Sequence, residues 1–415
     1  MASVTPPRGM RDFTPAVKAQ RERVLSRIRE SYRAHGFDEI ETPVMEESSR
    51  LSAGLGGDNE KLAFGILKRG VTAEDIAGAA STADLIDMGL RYDLTVPLAR
   101  FFATNRAELP PVFRAIQIAP VWRAERPQKG RFRQFVQCDI DIIGEPGILA
   151  EVELITATLS TLDALGVTGT TIRLNDRRIL LGLLDVLGLS DTESALITLD
   201  KLDKIGASGV LDELRERGAN EAALETLSEL LSSHANPTAA PTVSAMTAAL
   251  PAGVAPEAVG ELAAIADAVG NAGRLIFDPF LVRGMGYYTG AIFEVAHPDL
   301  GYSLGGGGRY DGMIGRFLGT DVPAVGFSLG FERLVDLVAD TDTADDSSVA
   351  VIYDPTLALA DLIAAKKSLL AEGLRVRLVV KTKNTRAILD QLDRDGFRRY
   401  AFLNPGEPLE WKTLS

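Results

Sequence analysis

The sequence predicts an α+β domain built on an antiparallel sheet, interrupted by a block of helices and followed by a small α/β domain. Residues 113–123 and 134–143 alternate like two antiparallel strands, and a basic loop joins them. Residues 172–273 change to leucine- and alanine-rich patterns that are typical of helices. After an acidic linker at residues 338–348, the segments follow the order β-α-β-α-β, which indicates a mostly parallel sheet.

The composition is that of a globular protein with two or three domains, since 46% of the 415 residues are hydrophobic and 24% are charged. The formal charge of −13 argues against a protein that coats nucleic acid non-specifically, but not against a local basic surface that docks one folded RNA. A single cysteine, Cys138, excludes a disulfide framework and a cysteine-based zinc site, and three scattered histidines suggest no metal cluster. The sequence has no apolar run of about 20 residues and no signal-peptide pattern, so we expect a cytoplasmic protein without a membrane span.

The spacing of apolar residues predicts the first helices and strands of the chain. Apolar residues recur at helical intervals over residues 16–35, which predicts a surface helix. Residues 37–44 alternate like a half-buried strand, and Pro43 within it indicates an edge or an interface position. We expect a further strand over residues 88–94 and a helix over residues 97–105.

The later elements are predicted in the same way. A helix fits residues 148–165, and Ser190 with Glu193 makes a capping box for a helix of the next block. Strand-like segments at residues 290–295 and 302–305 precede a glycine-rich turn. A last helix of this part begins near Gly330, and the C-terminal domain has predicted strands at residues 349–353, 373–380 and 400–403.

The first candidate site is the strand-loop-strand of residues 121–144. Guanidinium groups match phosphate oxygens bidentately, so a loop with several basic side chains can bind a triphosphate. These side chains are Arg123, Arg126, Lys129, Arg131 and Arg133. On the returning strand Gln137, Asp139 and Asp141 share one face, and such a polar row is costly to bury unless it faces a ligand or a network. A solvated basic hairpin with an exposed polar face explains the same pattern.

The second candidate site is residues 278–295, where Arg283 lies among glycines and precedes Tyr287 and Tyr288. Glycines let a backbone or a ligand approach closely. In an extended segment the two tyrosines point to opposite faces, so one can pack in the core while the other offers its hydroxyl to a substrate. A glycine-rich turn with core aromatics is the alternative.

Two further segments carry weaker signals. Residues 305–317 form a glycine-rich stretch of the kind that can cradle phosphate, and Arg333 follows in the first turns of a helix, where a plain surface arginine is the alternative. Asp93 and Thr95 lie on one face of the predicted strand and can hold an ammonium group, although either could instead cap the next helix.

Together these segments resemble the histidyl-tRNA synthetases, a family of class II aminoacyl-tRNA synthetases, over nearly the whole chain. PPRGMRDFTP resembles the family's N-terminal signature, GFDEIETPVME its first class motif, with Pro43 at the dimer-interface proline, and WRAERPQKGRFRQFVQCDID its second. LVRGMGYYTG and GGGGRYDG resemble the two histidine-specific motifs, and GFSLGFERL the third class motif. The resemblance therefore implies a class II catalytic domain with an antiparallel sheet.

The resemblance also implies a role for each candidate residue. Arg123 and Arg283 would be the catalytic pair at the α-phosphate. The ATP-binding set would be Arg123, Glu125, Arg131, Phe135 and Arg333, with Phe135 and Arg333 on either side of the adenine. The histidine-binding set would be Asp93, Thr95, Gln137, Asp141, Arg283, Tyr287 and Tyr288, with Asp141 and one of the tyrosines reading the imidazole.

The implied reaction joins L-histidine to ATP, with Mg²⁺ entering as Mg-ATP, and then transfers the histidyl group to tRNA(His). The family's organisation implies a homodimer and four segments. These are residues 1–171 and 274–337 as two parts of the catalytic domain, 172–273 as a helical insertion, and 349–415 as a short anticodon-binding-like domain.

Two departures from the family pattern leave alternatives open. Gly286 stands where the pattern RG-x-DYY has Asp, and the C-terminal domain ends soon after Trp411 and Lys412. A histidine-binding regulatory paralogue, of the type that controls ATP phosphoribosyltransferase, would keep the histidine pocket but could lose the ATP arginines, and an adenylating enzyme with another acceptor is a third reading. The arginines at 123, 131, 283 and 333 are all present, which favours the synthetase.

Overall fold

A computed structural model describes residues 4–52, 62–127, 130–233, 240–270, 273–283, 287–338 and 347–414. The chain divides into two compact units, residues 1–11 with 24–338 and residues 12–23 with 339–415. Over the described ranges, no helix combines the length and the apolar character that crossing a membrane would require.

The first ten elements lead from a long helix to a hairpin. They are α1 (Pro15–Ala34), β1 (Asp38–Glu39), β2 (Met45–Glu47), α2 (Ser48–Ser52), β3 (Phe64–Leu67), α3 (Ala73–Gly78), β4 (Ile86–Leu90), α4 (Thr95–Asn105), β5 (Phe113–Trp122) and β6 (Gln134–Ile143). The strand expected over residues 37–44 is much shorter, because only β1 pairs there, in parallel with β5. Pro43 lies outside it.

The middle of the chain is mainly helical. It contains α5 (Leu149–Ala164), β7 (Thr171–Asp176), α6 (Arg177–Val186), α7 (Thr192–Leu199), α8 (Leu202–Glu216), α9 (Glu221–Ser233), α10 (Val243–Ala248) and α11 (Pro256–Val269). The capping box expected from Ser190 and Glu193 is wrong, because Asp191 is the N-cap of α7 and its side chain accepts a hydrogen bond from the backbone N–H of Ser194.

The chain then returns to the sheet through β8 (Leu275–Phe277), β9 (Ala291–Ala296), β10 (Gly305–Arg309), α12 (Asp311–Leu318), β11 (Ala324–Gly330) and α13 (Phe331–Leu334). The glycine-rich turn expected after residue 305 is wrong. Gly305 to Gly308 pair with both β9 and β11, so the glycine run is an interior strand.

These elements form one large and one small sheet. The large sheet has the order β1-β5-β6-β11-β10-β9-β7-β8, and β2, β4 and β3 form a separate three-stranded sheet. In the large sheet β5, β6, β11, β10, β9 and β7 are mutually antiparallel neighbours, whereas β1 and β8 pair in parallel at the two edges. The predicted antiparallel sheet is therefore present, and it joins segments from both sides of the helical block.

One face of the large sheet is apolar. Cys138, Ile140 and Ile142 of β6 point into a core formed with α1, α5 and α11. On β6, Gln137, Asp139 and Asp141 alternate with them and face the other way, where Ile143 joins a second apolar core. Apolar cores therefore pack against both faces of the sheet, and the polar residues of the second face supply the candidate site.

The C-terminal unit has its own sheet. Its elements are β12 (Ser348–Tyr353), α14 (Leu359–Ala371), β13 (Arg375–Val380), α15 (Thr385–Arg394), β14 (Arg399–Leu403) and β15 (Lys412–Thr413). The strand order is β13-β12-β14-β15, and β12 pairs in parallel with both β13 and β14. The predicted small, mostly parallel α/β arrangement is confirmed.

Candidate active site

The site lies on the polar face of the large sheet, where backbone register lines up residues from distant segments. Asp141 of β6 is opposite Gly326 of β11, which is opposite Gly308 of β10. Two residues away along β6, Asp139 begins a second row, which continues through Ser328 to Gly306. Residues directly opposite each other share a face, so both rows lie on one surface.

Glycines in these rows leave space for larger side chains above them. A Cβ added to Gly306 would lie 2.6 Å from Cζ of Arg283, one added to Gly308 would lie 2.8 Å from the ring of Tyr288, and one added to Gly326 would lie 2.1 Å from the carboxylate of Asp141. All three distances are below van der Waals contact. Gly306 and Gly308 of the glycine run, together with Gly326 of β11, therefore form the floor on which three predicted site residues rest.

Three buried carboxyl groups form an acidic pocket above this floor. Burial raises the pKa of Asp93 to about 6 and that of Asp141 to about 7, and it raises the pKa of Asp139 well above its usual range. The negative charge of Asp93 raises the pKa of both other aspartates further, which shows that the three groups are neighbours. Such a pocket favours a cationic ligand, because a positive charge would stabilise the ionised carboxylates.

Within the part of the chain that the structure describes, two acceptor atoms in this pocket have no hydrogen-bond partner. They are Oδ2 of Asp93 and Oε1 of Gln137, and both side chains are buried. The amide nitrogen of Gln137 is in use, since it donates to Asp139 and, at 3.2 Å, to the hydroxyl of Ser328. Unsatisfied buried acceptors are costly, so they indicate a ligand that brings N–H donors.

Asp93 and Thr95 both lie at the pocket, but they do not share a strand as the sequence predicted. The predicted common strand is wrong, because β4 ends at Leu90 and Thr95 is the first residue of α4. The N-cap of α4 is Leu94, not Asp93 or Thr95, although Asp93 accepts a hydrogen bond of 3.3 Å from the backbone N–H of Val96 in the first turn. The side chain of Thr95 lies close enough to the hydroxyl of Tyr287 to oppose the burial that raises the pKa of this tyrosine.

Three tyrosines close the pocket. The rings of Tyr287 and Tyr288 are 4.8 Å apart, and the ring of Tyr310 meets that of Tyr287 edge-on at 5.9 Å. The expectation that Tyr287 and Tyr288 point to opposite faces is wrong, because this stretch is not a strand and both rings are buried in the same cluster. Tyr310, which the sequence analysis gave no role, donates a hydrogen bond of 2.6 Å to Asp141.

Arginine side chains gather beside the acidic pocket. Burial is the main cause that lowers the pKa of Arg333, and the positive charges of Arg131 and Arg283 lower it further. These three guanidinium groups are therefore close enough to repel one another. Arg123 donates to the backbone carbonyl of Tyr92 at 3.0 Å, and its charge lowers the pKa of Asp93. Guanidinium groups held this close to one another suit a polyanion.

The remaining predicted ATP residues lie around these arginines. Arg123 is 5.1 Å from the ring centre of Phe135, and Arg333 lies 4.9 Å from the ring centre of Tyr302. Glu125 approaches Arg131 at 3.8 Å, with both side chains partly exposed. Lys129 and Gly286 lie outside the described residues.

The N-terminal segment contacts the same region. The guanidinium of Arg11 pairs with Glu332 and lies 3.4 Å from the ring centre of Phe132, and the carbonyl of Gly9 accepts a hydrogen bond from Arg133. Sequence reasoning had noted this segment only as a resemblance. The N-terminal segment therefore packs against Phe132 and Arg133 at the end of the basic loop.

Sequence reasoning also missed Asp139 and Tyr310 as site residues. The alternation of β6 already placed Asp139 beside Gln137 and Asp141, so that signal was available. Tyr310 gave no such signal, because its partner Asp141 is 169 positions away.

An antiparallel sheet with parallel edge strands, an acidic pocket and an adjoining arginine cluster define the catalytic domain of a class II aminoacyl-tRNA synthetase. Comparisons with known proteins agree. A sequence model described as histidyl-tRNA synthetase matches residues 9–334. A histidine–tRNA ligase of Leifsonia xyli subsp. xyli (strain CTCB07) is 59% identical over the whole of both chains, and a probable histidine–tRNA ligase of Tropheryma whipplei (strain Twist) is 44% identical over 98% of this chain and 97% of its own.

Solved structures show the same fold. A histidyl-tRNA synthetase from Nostoc sp. PCC 7120 superposes with a TM-score of 0.77 at 25% identity, covering all of this chain and 95% of that one. An ATP phosphoribosyltransferase regulatory subunit/histidyl-tRNA synthetase from Bacillus halodurans C gives a TM-score of 0.74 over 96% of each chain at 21% identity, a likeness of fold alone. The chain belongs to the histidyl-tRNA synthetase family.

Proposed function

We propose that this protein is a histidine–tRNA ligase, which activates L-histidine with ATP and transfers the histidyl group to tRNA(His). One observation carries the proposal: a buried acidic pocket and a cluster of arginines lie side by side on one face of the sheet. The pocket suits an amino acid with two nitrogen-bearing groups, and the arginines suit the phosphates of a nucleotide. An enzyme that joins the two substrates needs both surfaces next to each other.

In the amino-acid pocket, Asp93, Thr95 and Gln137 bind the α-ammonium group of histidine. The unpartnered acceptors of Asp93 and Gln137 support this role. Asp141, with Tyr287 or Tyr288, reads the imidazole. A site that hydrogen-bonds the imidazole nitrogens rejects apolar isosteres strongly, because they would leave its buried polar groups unpaired.

On the ATP side, Arg123 and Arg283 contact the α-phosphate, and Arg131 contacts the γ-phosphate. Phe135 and Arg333 flank the adenine, and Glu125 holds the adenine end of ATP or its metal. Mg²⁺ enters with the triphosphate as part of the substrate. Carboxylate and phosphate oxygens are the ligands that this ion prefers, so Glu125 is the side chain we assign to it.

The reaction then has two in-line steps. The carboxylate of histidine attacks the α-phosphorus of ATP, forming histidyl-adenylate and releasing pyrophosphate. A terminal ribose hydroxyl of the tRNA next attacks the activated carbonyl carbon and releases AMP. Neither step needs a protein nucleophile, so the chain's residues act by orienting the substrates and by placing fixed positive charge where negative charge develops.

The domain roles follow from the same proposal. Residues 1–171 and 274–337 form the catalytic domain, residues 172–273 form the helical insertion, and residues 349–415 contact the anticodon part of the tRNA. Two chains assemble as a homodimer in the cytoplasm. These assignments rest on the family's organisation.

Two assays, carried out one after the other, test the proposal. Histidine-dependent exchange of pyrophosphate into ATP measures the first step, and charging of tRNA(His) with labelled histidine measures the second. We expect both, with little exchange when another amino acid replaces histidine. Histidine binding without exchange would favour the regulatory paralogue, and exchange without charging would favour an adenylating enzyme with another acceptor.

A further inference from the structure

Arg283, which the proposed function places at the α-phosphate, has a carboxylate partner beneath it. Its guanidinium nitrogen Nη1 donates to Oε2 of Glu294 at 2.9 Å. Glu294 belongs to β9 and is opposite Gly306 of β10, the glycine on which the guanidinium of Arg283 rests. The register of β9 and β10 therefore sets Gly306, which leaves space for Arg283, beside Glu294, which bonds to it.

Glu294 is shared with a second arginine. Its other oxygen, Oε1, accepts from Nη1 of Arg173 at 3.1 Å. Arg173 lies on β7 directly opposite Glu294, so the cross-strand row continues from Gly306 through Glu294 to Arg173. Each oxygen of the carboxylate thus has its own guanidinium partner, which limits the ways in which Glu294 can rotate.

Arg173 is itself tied to the segment that carries Arg283. Its Nε donates to Asp278 at 2.7 Å, and a second nitrogen of the same group reaches the same oxygen. Asp278 lies five positions before Arg283, and its backbone N–H donates to the carbonyl of Leu174 on β7 at 2.9 Å. Asn175 of β7 also donates to the carbonyls of Pro279 and Leu281.

These contacts form a closed network. Arg173 of β7 bonds to Asp278, the segment from Asp278 leads to Arg283, and Arg283 and Arg173 both bond to Glu294. The exposed fractions of the charged side chains are low, at 5% for Asp278, 16% for Glu294 and 19% for Arg173. Ion pairs shielded from water hold their geometry better than exposed ones. Asp203 of α8 also approaches Arg173, but at 3.6 Å and with its side chain 76% exposed, so it adds little.

We infer that Glu294 and Arg173 are positioning residues, which hold the guanidinium of Arg283 in place for the adenylation step before ATP binds. Glu294 sets where the guanidinium lies on the sheet, and Arg173 keeps Glu294 in register and links it to Asp278. Charge that is placed before the reaction needs no reorganisation when negative charge develops at the α-phosphate. This inference rests on the proposed function.

The test compares Glu294→Gln with Glu294→Asp in histidine-dependent ATP–pyrophosphate exchange. Glutamine keeps the shape but loses the charge, so we expect kcat to fall by about 100-fold while KM for ATP and for histidine changes by less than about threefold. Aspartate keeps the charge, and we expect it to retain more of kcat than glutamine does. A purely structural role would give the opposite order, because glutamine is the better steric match.

Arg173→Lys and Asp203→Asn complete the set. Lysine keeps the charge but cannot bridge Glu294 and Asp278 with one planar group, so we expect kcat to fall by about 10-fold. Asp203→Asn, on the same guanidinium but exposed, serves as the control and is expected to stay within about twofold of wild type. If Glu294→Gln does not fold, as judged by circular dichroism, Arg173→Lys decides the question in the same assay.

The possible failures are distinct. Absence of histidine-dependent exchange in the wild-type protein would overturn the proposed function and this inference with it. Normal exchange by the wild type together with wild-type kcat in both Glu294→Gln and Arg173→Lys would overturn the inference alone. A rise in KM without a fall in kcat would also contradict it, because the two residues would then act on binding and not on the reacting state.

Discussion

The hydroxyl of Tyr310 donates a hydrogen bond of 2.6 Å to the carboxylate of Asp141, and both side chains are buried. Tyr310 directly follows β10, and Asp141 lies on β6, with β11 between the two strands. Gly326 of β11 leaves the space in which they meet, since a Cβ there would lie 3.1 Å from the ring of Tyr310. The bond links the glycine-rich motif to the strand that we propose selects the amino acid.

Tyr310→Phe should weaken the use of histidine more than the use of ATP. The substitution removes the hydrogen bond that orients Asp141 and lowers its pKa, so kcat/KM for histidine should fall by about 10- to 100-fold. KM for ATP should stay near its wild-type value. Steady-state exchange at varied histidine concentrations measures the effect.

Tyr32→Phe is the matched control for that substitution. Tyr32 is also buried and also bonds to β6, through the carbonyl of Cys138 at 3.3 Å, but it lies on the apolar face. It should cost about 1 kcal/mol of stability without a selective loss for histidine. Equal kinetic losses in both variants would contradict a role for Tyr310 in the pocket.

The pH dependence of histidine use should reflect Asp141. Burial raises its pKa to about 7 in the empty pocket, so the fraction of ionised Asp141 falls as the pH falls through this value. The neutral carboxyl attracts a cationic ligand less strongly, and kcat/KM for histidine should therefore decrease on the acidic side. Rates across pH 5.5 to 9, corrected for the titration of histidine itself, measure this.

The direction of a second shift provides a check on the assignment. The hydrogen bond from Tyr310 lowers the pKa of Asp141, so its removal in Tyr310→Phe should move the acidic limb of the profile to higher pH. A profile that stays in place in this variant would show that another group controls the acidic limb.

Arg283→Ala should abolish histidine-dependent exchange while the fold is retained. The variant removes a charge that we place at the α-phosphate, yet Glu294 keeps Arg173 as a partner and is not left unpaired. Exchange assays and thermal unfolding measure the two effects. Arg69→Ala, at an exposed arginine, is the control, and exchange near the wild-type rate in Arg283→Ala would refute the role given to Arg283.

Gly306→Ala should affect the reaction through Arg283. The new Cβ would lie 2.6 Å from Cζ of Arg283 and 2.7 Å from the backbone carbonyl oxygen of Phe293, so the guanidinium must move and β9 must shift as well. A displacement of about 1 Å can lower the rate by about 100-fold. Gly312→Ala, in α12, meets nothing within 4 Å and should instead stabilise the helix by about 1 kcal/mol. Unchanged kcat in Gly306→Ala would mean that Arg283 need not rest on the strand.

The C-terminal unit should influence charging but not exchange. Lys381 and Lys412 lie 5.6 Å and 5.9 Å from the ring centre of Phe402, which places two positive charges beside one aromatic side chain. The double variant Lys381→Ala, Lys412→Ala should raise KM for tRNA(His) by about 10-fold and reduce its salt dependence, with exchange unaffected. Lys367→Ala, on the exposed side of α14, should change neither quantity.

The parts of the fold that the sequence predicted well are those in which local periodicity decides the structure. The alternation of residues 134–143 follows from one buried and one polar sheet face, and β6 spans that range. The β-α-β-α-β order of the C-terminal unit was predicted for the same reason. Here each residue's environment depends on its immediate neighbours in the chain.

The glycine-rich segment shows where such reasoning stops. Gly305 to Gly308 have the composition of a turn, but they form β10 because side chains from other segments need the space above them. The row that joins Arg173, Glu294 and Gly306 likewise depends on strand register, which local periodicity does not reveal. The individual residues of the site could be proposed from motifs, whereas their mutual support could not.

The bare floor of β10 has a consequence for altering the amino acid that such a site accepts. Most binding pockets can be reshaped by exchanging the side chains that line them. This strand has no side chain to exchange at Gly306 and Gly308, and Arg283 and Tyr288 fill the space above these glycines. Arg283 and Tyr288 above β10, and Asp141 above Gly326 of β11, thus serve both as site residues and as packing. A redesign that replaces one of them has to refill the volume that it leaves, so specificity and architecture cannot be changed independently here.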